Sequence, residues 1–154
     1  MGQKITPNLW YNGNAKEAVD FYLSVFPDSK LIATSYYPKT QEEGLTDFQQ
    51  NLAGKVLTVD FELFGMRFTA INAGPEFTFN ESVSFLVSCK DQEEIDYYWE
   101  KLIADGGAES VCGWCKDKYG LNWQVGPENM EELMERPGAF AKMMQMKKLV
   151  IADF

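Results

Sequence analysis

Apolar and polar residues alternate in short runs along most of this chain, and two longer stretches replace the alternation with a helical period. ITPNLWYNG (5–13) reads as a strand, with Ile5, Leu9 and Tyr11 apolar and Thr6, Asn8 and Asn12 polar. Asn14 then stands where a helix N-cap belongs, and Glu17 follows at the capping-box spacing. Ala15, Ala18, Val19, Tyr22 and Phe26 recur at helical spacing and mark a buried face, and Pro27-Asp28 ends the helix. KLIATSYYP (30–38) is a second strand. The polar stretch from Lys39 to Lys55 has the length of a disordered loop or a lid. VLTVDFELF (56–64) places Leu57, Val59, Phe61 and Leu63 on one face and Thr58, Asp60 and Glu62 on the other. Gly65 turns the chain, and MRFTAINAG (66–74) returns as a hairpin partner.

A second series starts near Ser82. SVSFLVSC (82–89) sets Val83, Phe85 and Val87 on one side and Ser84, Leu86 and Ser88 on the other. Asp91 caps a helix, with Glu94 three residues on, and Ile95, Tyr98, Trp99 and Leu102 form its buried face. Gly106-Gly107 suits a helix stop. Strands are predicted near 109–111, at 113–118 and at 121–127, with a turn at Tyr119-Gly120. The tail, 128–154, has a helical pattern broken at Pro137-Gly138 and holds five of the seven methionines.

The two series have the same order: strand, capped helix, three strands. EAVDFY (17–22) matches EEIDYY (93–98) at an offset of 76, while the two caps give 77. FGMRFTA (64–70) matches YGLNWQV (119–125) at an offset of 55. The order points to a duplication, with module one at about 1–78, module two at about 79–127 and a helical tail at 128–154. A βαβββ module covers one face of its sheet with its helix and leaves the other open. Two modules together are expected to make a curved eight-stranded sheet whose open side is a cleft.

Composition narrows the chemistry. At 154 residues and 45 % apolar, the chain can build a packed core. Its formal charge of −9 repels phosphate backbones and argues against nucleic acid as a partner. The apolar runs are short of a membrane span, and MGQKITPNLW has no apolar signal-like core. Three cysteines suit a reducing compartment, so a cytoplasmic location is expected. The chain has no histidine, which removes the Ser-His-Asp triad, the Cys-His pair, the HExxH zinc site and the two-histidine iron site.

With these features the chain resembles the vicinal-oxygen-chelate superfamily, and within it the PhnB-like proteins, also labelled 3-demethylubiquinone methyltransferase-like. The resemblance lies in TPNLWYNGNAKEAVDFY (6–22), KVLTVDFELFGMRFTAINAGPEFTFNESVSF (55–85), DYYWEKL (96–102), CGWCKDKYGLNWQVGP (112–127) and MMQMKKLVIADF (143–154). It implies an α/β (α+β) protein of two βαβββ modules with a C-terminal helical tail. It also implies a homodimer, because such modules often pair between chains. In the superfamily's metalloenzymes the ligands come from the first and last strands of each module. Carried onto this chain, those positions are Asn8, Thr69, Ser84 and Gln124, or Pro7 and Val83 in place of Asn8 and Ser84 if the first strands shift by one. Of these, Gln124 alone is a plausible ligand, and an amide oxygen is a weak one, so no metal is expected. No Gly-rich turn of the kind that opens S-adenosylmethionine sites follows a strand, and no cofactor is expected.

At several other positions ordinary packing competes with a functional role. Asp60 and Glu62 share a face with Thr58 and are candidate general bases or amine binders if that face lines the cleft; otherwise they are solvated acids. Arg67 and Thr69 share a face, where Arg67 could hold a ligand carboxylate or phosphate. Trp10 shares the face of Asn8, Trp123 belongs to the core, and alternation does not assign Trp114. Cys112 and Cys115 form a CxxC, but it precedes a strand rather than a helix, so packing is the default. The expected function is binding of a small organic molecule in an aromatic and polar cleft lined by Asn8, Trp10, Thr58, Arg67, Thr69, Ser84, Trp114 and Gln124. The alternative is an enzyme of glyoxalase, dioxygenase or 3-demethylubiquinone methyltransferase-like type using Asp60, Glu62 or Gln124. A structural module with a self-filled cleft is the third class.

Overall fold

The alternating segments do form strands, and the helical segments pack on one face of each sheet. The computed structural model describes residues 2–154. The chain divides into two units, one running through Thr78 and one from Phe79 to Phe154. The first holds β1 (Asn8–Asn12), α1 (Ala15–Val25), β2 (Ser29–Tyr36), β3 (Val56–Leu63) and β4 (Met66–Ala73). The second holds β5 (Phe85–Cys89), α2 (Gln92–Ile103), β6 (Ala108–Glu109), β7 (Trp114–Lys116), β8 (Asn122–Pro127), α3 (Met130–Met134) and α4 (Ala139–Met143). The strands form two four-stranded sheets of equivalent order, β1-β4-β3-β2 and β5-β8-β7-β6. In each, the first strand runs parallel to the last and the remaining pairs are antiparallel. This is the βαβββ architecture that the repeat implied. The helices begin at Ala15 and Gln92, the spacing given by the caps rather than by the EAVDFY match.

In the first unit Val59, Phe61 and Leu63 of β3 and Phe68 and Ala70 of β4 point toward α1, which presents Ala18, Val19 and Tyr22. Tyr22, Phe61 and Phe68 stack in sequence, with ring centroids 6.1 Å and 5.3 Å apart. In the second unit α2 buries Ile95, Tyr98, Trp99 and Leu102, the four residues its pattern selected. The tail adds a smaller cluster of Leu133, Ala139, Leu149 and Phe154, packed by Met130, Met134, Met143 and Met146. Met side chains fill irregular gaps, which suits this short-helix region.

Several element limits differ from the pattern. The fifth strand starts at Phe85 rather than at Ser82, and Val83 is exposed. The cause is Asn80, whose Oδ1 accepts from the Ser82 backbone N–H and hydroxyl and bends the chain. Residues 39–55 are built from turns and a 3-10 helix, Asp47–Leu52, with Thr46 and Gln49 forming a capping box. Backbone bonds of Tyr37 to Lys55 and Gly54 to Pro38 close the base of this stretch, for which the pattern allows a disordered loop or a lid. After α2 the chain turns through Asp105 and Gly106 at positive φ. A Cβ on Gly107 would lie 2.6 Å from the Ile103 backbone, which explains a glycine at that stop.

Candidate functional site

Each sheet has one face covered by its helix and one face left open, and strand register decides what the open face carries. In the first unit Asn8 is in register with Thr69, Trp10 with Ile71, Asp60 with Thr69 and Glu62 with Arg67. Asn8, Trp10, Thr58, Asp60, Glu62, Arg67 and Thr69 therefore share the face opposite α1. The structure brings together all of the module-one candidates named from the sequence.

Asp60 is the centre of this group. Its Oδ2 accepts from Arg67 Nη2 at 2.8 Å and its Oδ1 accepts from the Thr69 hydroxyl at 2.7 Å. Burial pushes its carboxyl up, but the bonds from Thr69 and Arg67 and the Arg67 charge outweigh that and hold it below the usual carboxylate range. Asp60 is thus an ionised partner of a guanidinium, with both oxygens engaged. A general base needs a higher pKa and a free lone pair aimed at its proton. Glu62 pairs with Lys30 on β2 at 3.1 Å. Thr58 shares a hydroxyl hydrogen bond with Ser35. Trp10 donates its indole N–H to the Gly74 carbonyl at 2.9 Å, and its ring meets Phe77 edge to face at 4.8 Å.

In the second unit Trp114 lies directly across from Gln124, and Cys115 across from Trp123. Trp114 therefore belongs to the open face, half-buried, and Trp123 to the core, as its alternation indicated. Gln124 Nε2 donates to the Ser84 hydroxyl at 2.9 Å. Ser84 precedes β5, and the residue in register with Gln124 is the exposed Leu86. Leu86 thus takes the place in the second sheet that Asn8 takes in the first.

The superfamily's metal-ligand positions can be tested on these donors. Asn8 and Thr69 offer neutral oxygens, as do Ser84 and Gln124, and Leu86 offers none. Among the described residues no three His, Cys, Asp or Glu side chains converge. This donor set does not fit a four-ligand zinc, iron or nickel site, which needs imidazole, carboxylate or thiolate.

The two cysteines of the CxxC are free and sit in different surroundings. Cys115 is in the core, where burial, with help from the Asp117 and Glu109 charges, pushes its thiol up to about 12. Cys112 sits at φ 57°, and its sulfur is 3.3 Å from that of Met144. All three cysteines are free.

Three contributors escaped the sequence. Gln3 pairs with both backbone groups of Arg67 at 3.0 Å, a non-local contact with no local signal. Lys30 could have been found as a cross-strand partner of Glu62 once the register was known. Asn72, buried at the end of β4, accepts from the Ala15 N–H at 3.1 Å and so caps α1 from outside the helix. Asn14, the expected cap, makes no side-chain cap bond.

Comparison with known proteins agrees with this architecture. The PhnB protein from Bacillus cereus is 34 % identical, with 80 % of this chain and 98 % of that one covered and a TM-score of 0.67. PA1353 from Pseudomonas aeruginosa is 19 % identical over 82 % of this chain and 98 % of that one, with a TM-score of 0.61. The fosfomycin resistance protein FosX from Mesorhizobium loti is 11 % identical over 88 % and 99 %, with a TM-score of 0.57. The last two likenesses show the fold alone. Among curated proteins none matches the chain. The family model described as 3-demethylubiquinone-9 3-methyltransferase matches residues 3–126. Sequence, sheet order and these likenesses agree: the chain belongs to the PhnB-like, 3-demethylubiquinone-9 3-methyltransferase family of the vicinal-oxygen-chelate superfamily.

Proposed function

We propose that this chain binds a small organic molecule on the open faces of its sheets, and that it does so without the superfamily's four-ligand metal site. The observation that carries this is the gathering of hydrogen-bonding side chains on the face opposite α1. Asp60 and Thr69 are half-buried there, and Asp60 is already joined to both Thr69 and Arg67, so the face is preorganised rather than merely wet. The second sheet, taken by itself, carries Gln124, bonded to Ser84, and the half-buried Trp114 on its own open face. We further take the working form to be a cytoplasmic homodimer with no nucleic-acid or membrane partner. Among the described residues no helix is long and apolar enough to cross a membrane.

Native mass spectrometry of protein purified without a metal-affinity tag tests this. A dimer with an added organic mass and no metal supports the reading and names a chemical class. A stoichiometric transition metal overturns it.

A second reading, a small-molecule transferase, rests on the name of the matching family. Adding S-adenosylmethionine to the same sample tests it. A one-to-one adduct supports methyl transfer, and its absence at saturating cofactor argues against it.

A further inference from the structure

Arg67 is one of only two arginines in the chain, and the direction in which it leans is informative. Glu62 lies directly across from it in the β3–β4 ladder and is the neighbour an exposed arginine would ordinarily take. Arg67 instead reaches diagonally to Asp60 at 2.8 Å, and Glu62 turns the other way to Lys30. The lean carries the guanidinium inward along the sheet, toward Thr69 and the Asn8 beside it.

The arrangement is held from several sides. Gln3 pins the Arg67 backbone through a reciprocal amide pair at 3.0 Å. The Thr69 hydroxyl occupies one oxygen of Asp60, so Asp60 holds the guanidinium through Nη2 alone. Among the described residues the guanidinium makes no other hydrogen bond or ion pair. A planar fork of five donors is therefore oriented by one of them, and the Arg67 side chain remains 46 % exposed. Each carboxylate of this group, Asp60 and Glu62, is matched by a cation. An approaching anion meets a locally neutral patch here, although the chain as a whole carries −9.

We propose that Arg67 is the anion anchor of the site, so that the bound molecule presents a carboxylate or phosphoryl oxyanion to the guanidinium edge that Asp60 leaves open. This rests on the reading that the open face binds a small molecule, and it adds the ligand's chemical class. Asp60 is then a positioning residue. Arginine suits the task better than lysine because its fork matches an oxyanion with two parallel bonds. The proposal also gives the neutral donors at Asn8 and Thr69 a context. A fixed organic cation stands beside positions that make a poor metal site.

The test is a titration of the full chain followed by nitrogen–proton NMR, with benzoate, phenylphosphonate and neutral benzamide as probes. Saturable shifts are expected at Arg67 Nε–H and at the Asn8 and Thr69 amides with an oxyanion, in the range up to about ten millimolar. A response to benzoate alone or to phenylphosphonate alone supports the proposal and identifies the source of the oxyanion. Arg67→Gln should weaken the response at least roughly tenfold, and Arg67→Lys should restore only part of it. Both spectra also report whether the variants remain folded. An equal response to benzamide, or unchanged anion affinity in Arg67→Gln, overturns the anchor. So does the lack of any saturable shift with either anion. If native mass spectrometry still retains an organic molecule in those cases, the binding reading survives and the anchor alone has failed.

Discussion

The two repeats solve the same local problems with different chemistry. Both must start a helix straight after a strand. Asp91 does this locally in α2, accepting from the Glu94 N–H at 2.9 Å. In α1 the task passes to Asn72, 57 residues away, which also donates to the Val56 carbonyl at 2.9 Å and so joins helix to sheet. Both must also turn a hairpin before the last strand. In the first unit Phe64 and Gly65 do so at φ 51° and 79°, with the Phe64 ring edge-on to Phe26. In the second, the buried Asp117 carboxylate organises the turn, accepting from the N–H groups of Tyr119 and Leu121 and from the Trp123 indole. Both turns hold a glycine at positive φ, Gly65 and Gly120; the first unit adds a left-handed aromatic where the second adds a buried carboxylate. Duplication preserves the geometry of a fold and leaves open which residue supplies each hydrogen bond.

That contrast can be broken by substitution. Asp117→Ala strands three donors, two of them buried, and should cost about 3 kcal/mol in urea denaturation. A loss below about 1 kcal/mol would mean that the turn does not depend on the carboxylate. Asn72→Ala removes a buried trans-cap and should cost about 2 kcal/mol, against about 1 kcal/mol for Asp91→Ala. If Asp91→Ala proved the costlier, the long-range cap would be the minor one. Phe64→Asn relieves a left-handed aromatic but loses the contact with Phe26. The net gain should be at most about 1 kcal/mol, read as a small rise in Tm.

The smallest effect at neutral pH concerns the thiols. Burial first, then nearby carboxylates, pushes Cys89 and Cys115 up to about 12 from 9.0, because the core disfavours the thiolate. The unfolded chain therefore ionises first. Stability is intact below pH 9 and falls as the pH rises from there toward about 12. A thiol reagent near pH 8 should label Cys112 and spare the other two, so fast labelling of all three would contradict this burial.

Much of the fold was legible because burial imposes a period on each element. The alternation in 56–64 predicted which side chains of β3 face α1, and the helical spacing of Ile95, Tyr98, Trp99 and Leu102 predicted the buried face of α2. The pattern failed where local polar groups outbid a strand. Ser82 to Ser84 alternate suitably, yet the Asn80 side chain bends them away from the sheet. It was also silent wherever a side chain was chosen by a distant residue, as with Gln3 on the Arg67 backbone.

The same division runs through the candidate site. Periodicity alone placed Asn8, Asp60, Arg67 and Thr69 on polar faces of their strands, because a side-chain period of two leaves only two faces to choose from. The absence of histidine limits the metal chemistry whatever the fold. Register between strands was beyond reach, since it is set by pairing over tens of residues. Tertiary structure decided that Arg67 takes Asp60 rather than Glu62, and that Leu86 rather than Ser84 faces Gln124. It also decided that Trp114 joins the open face. Face is a property of one strand and is written locally; partnership belongs to two strands and exists only once the chain has folded.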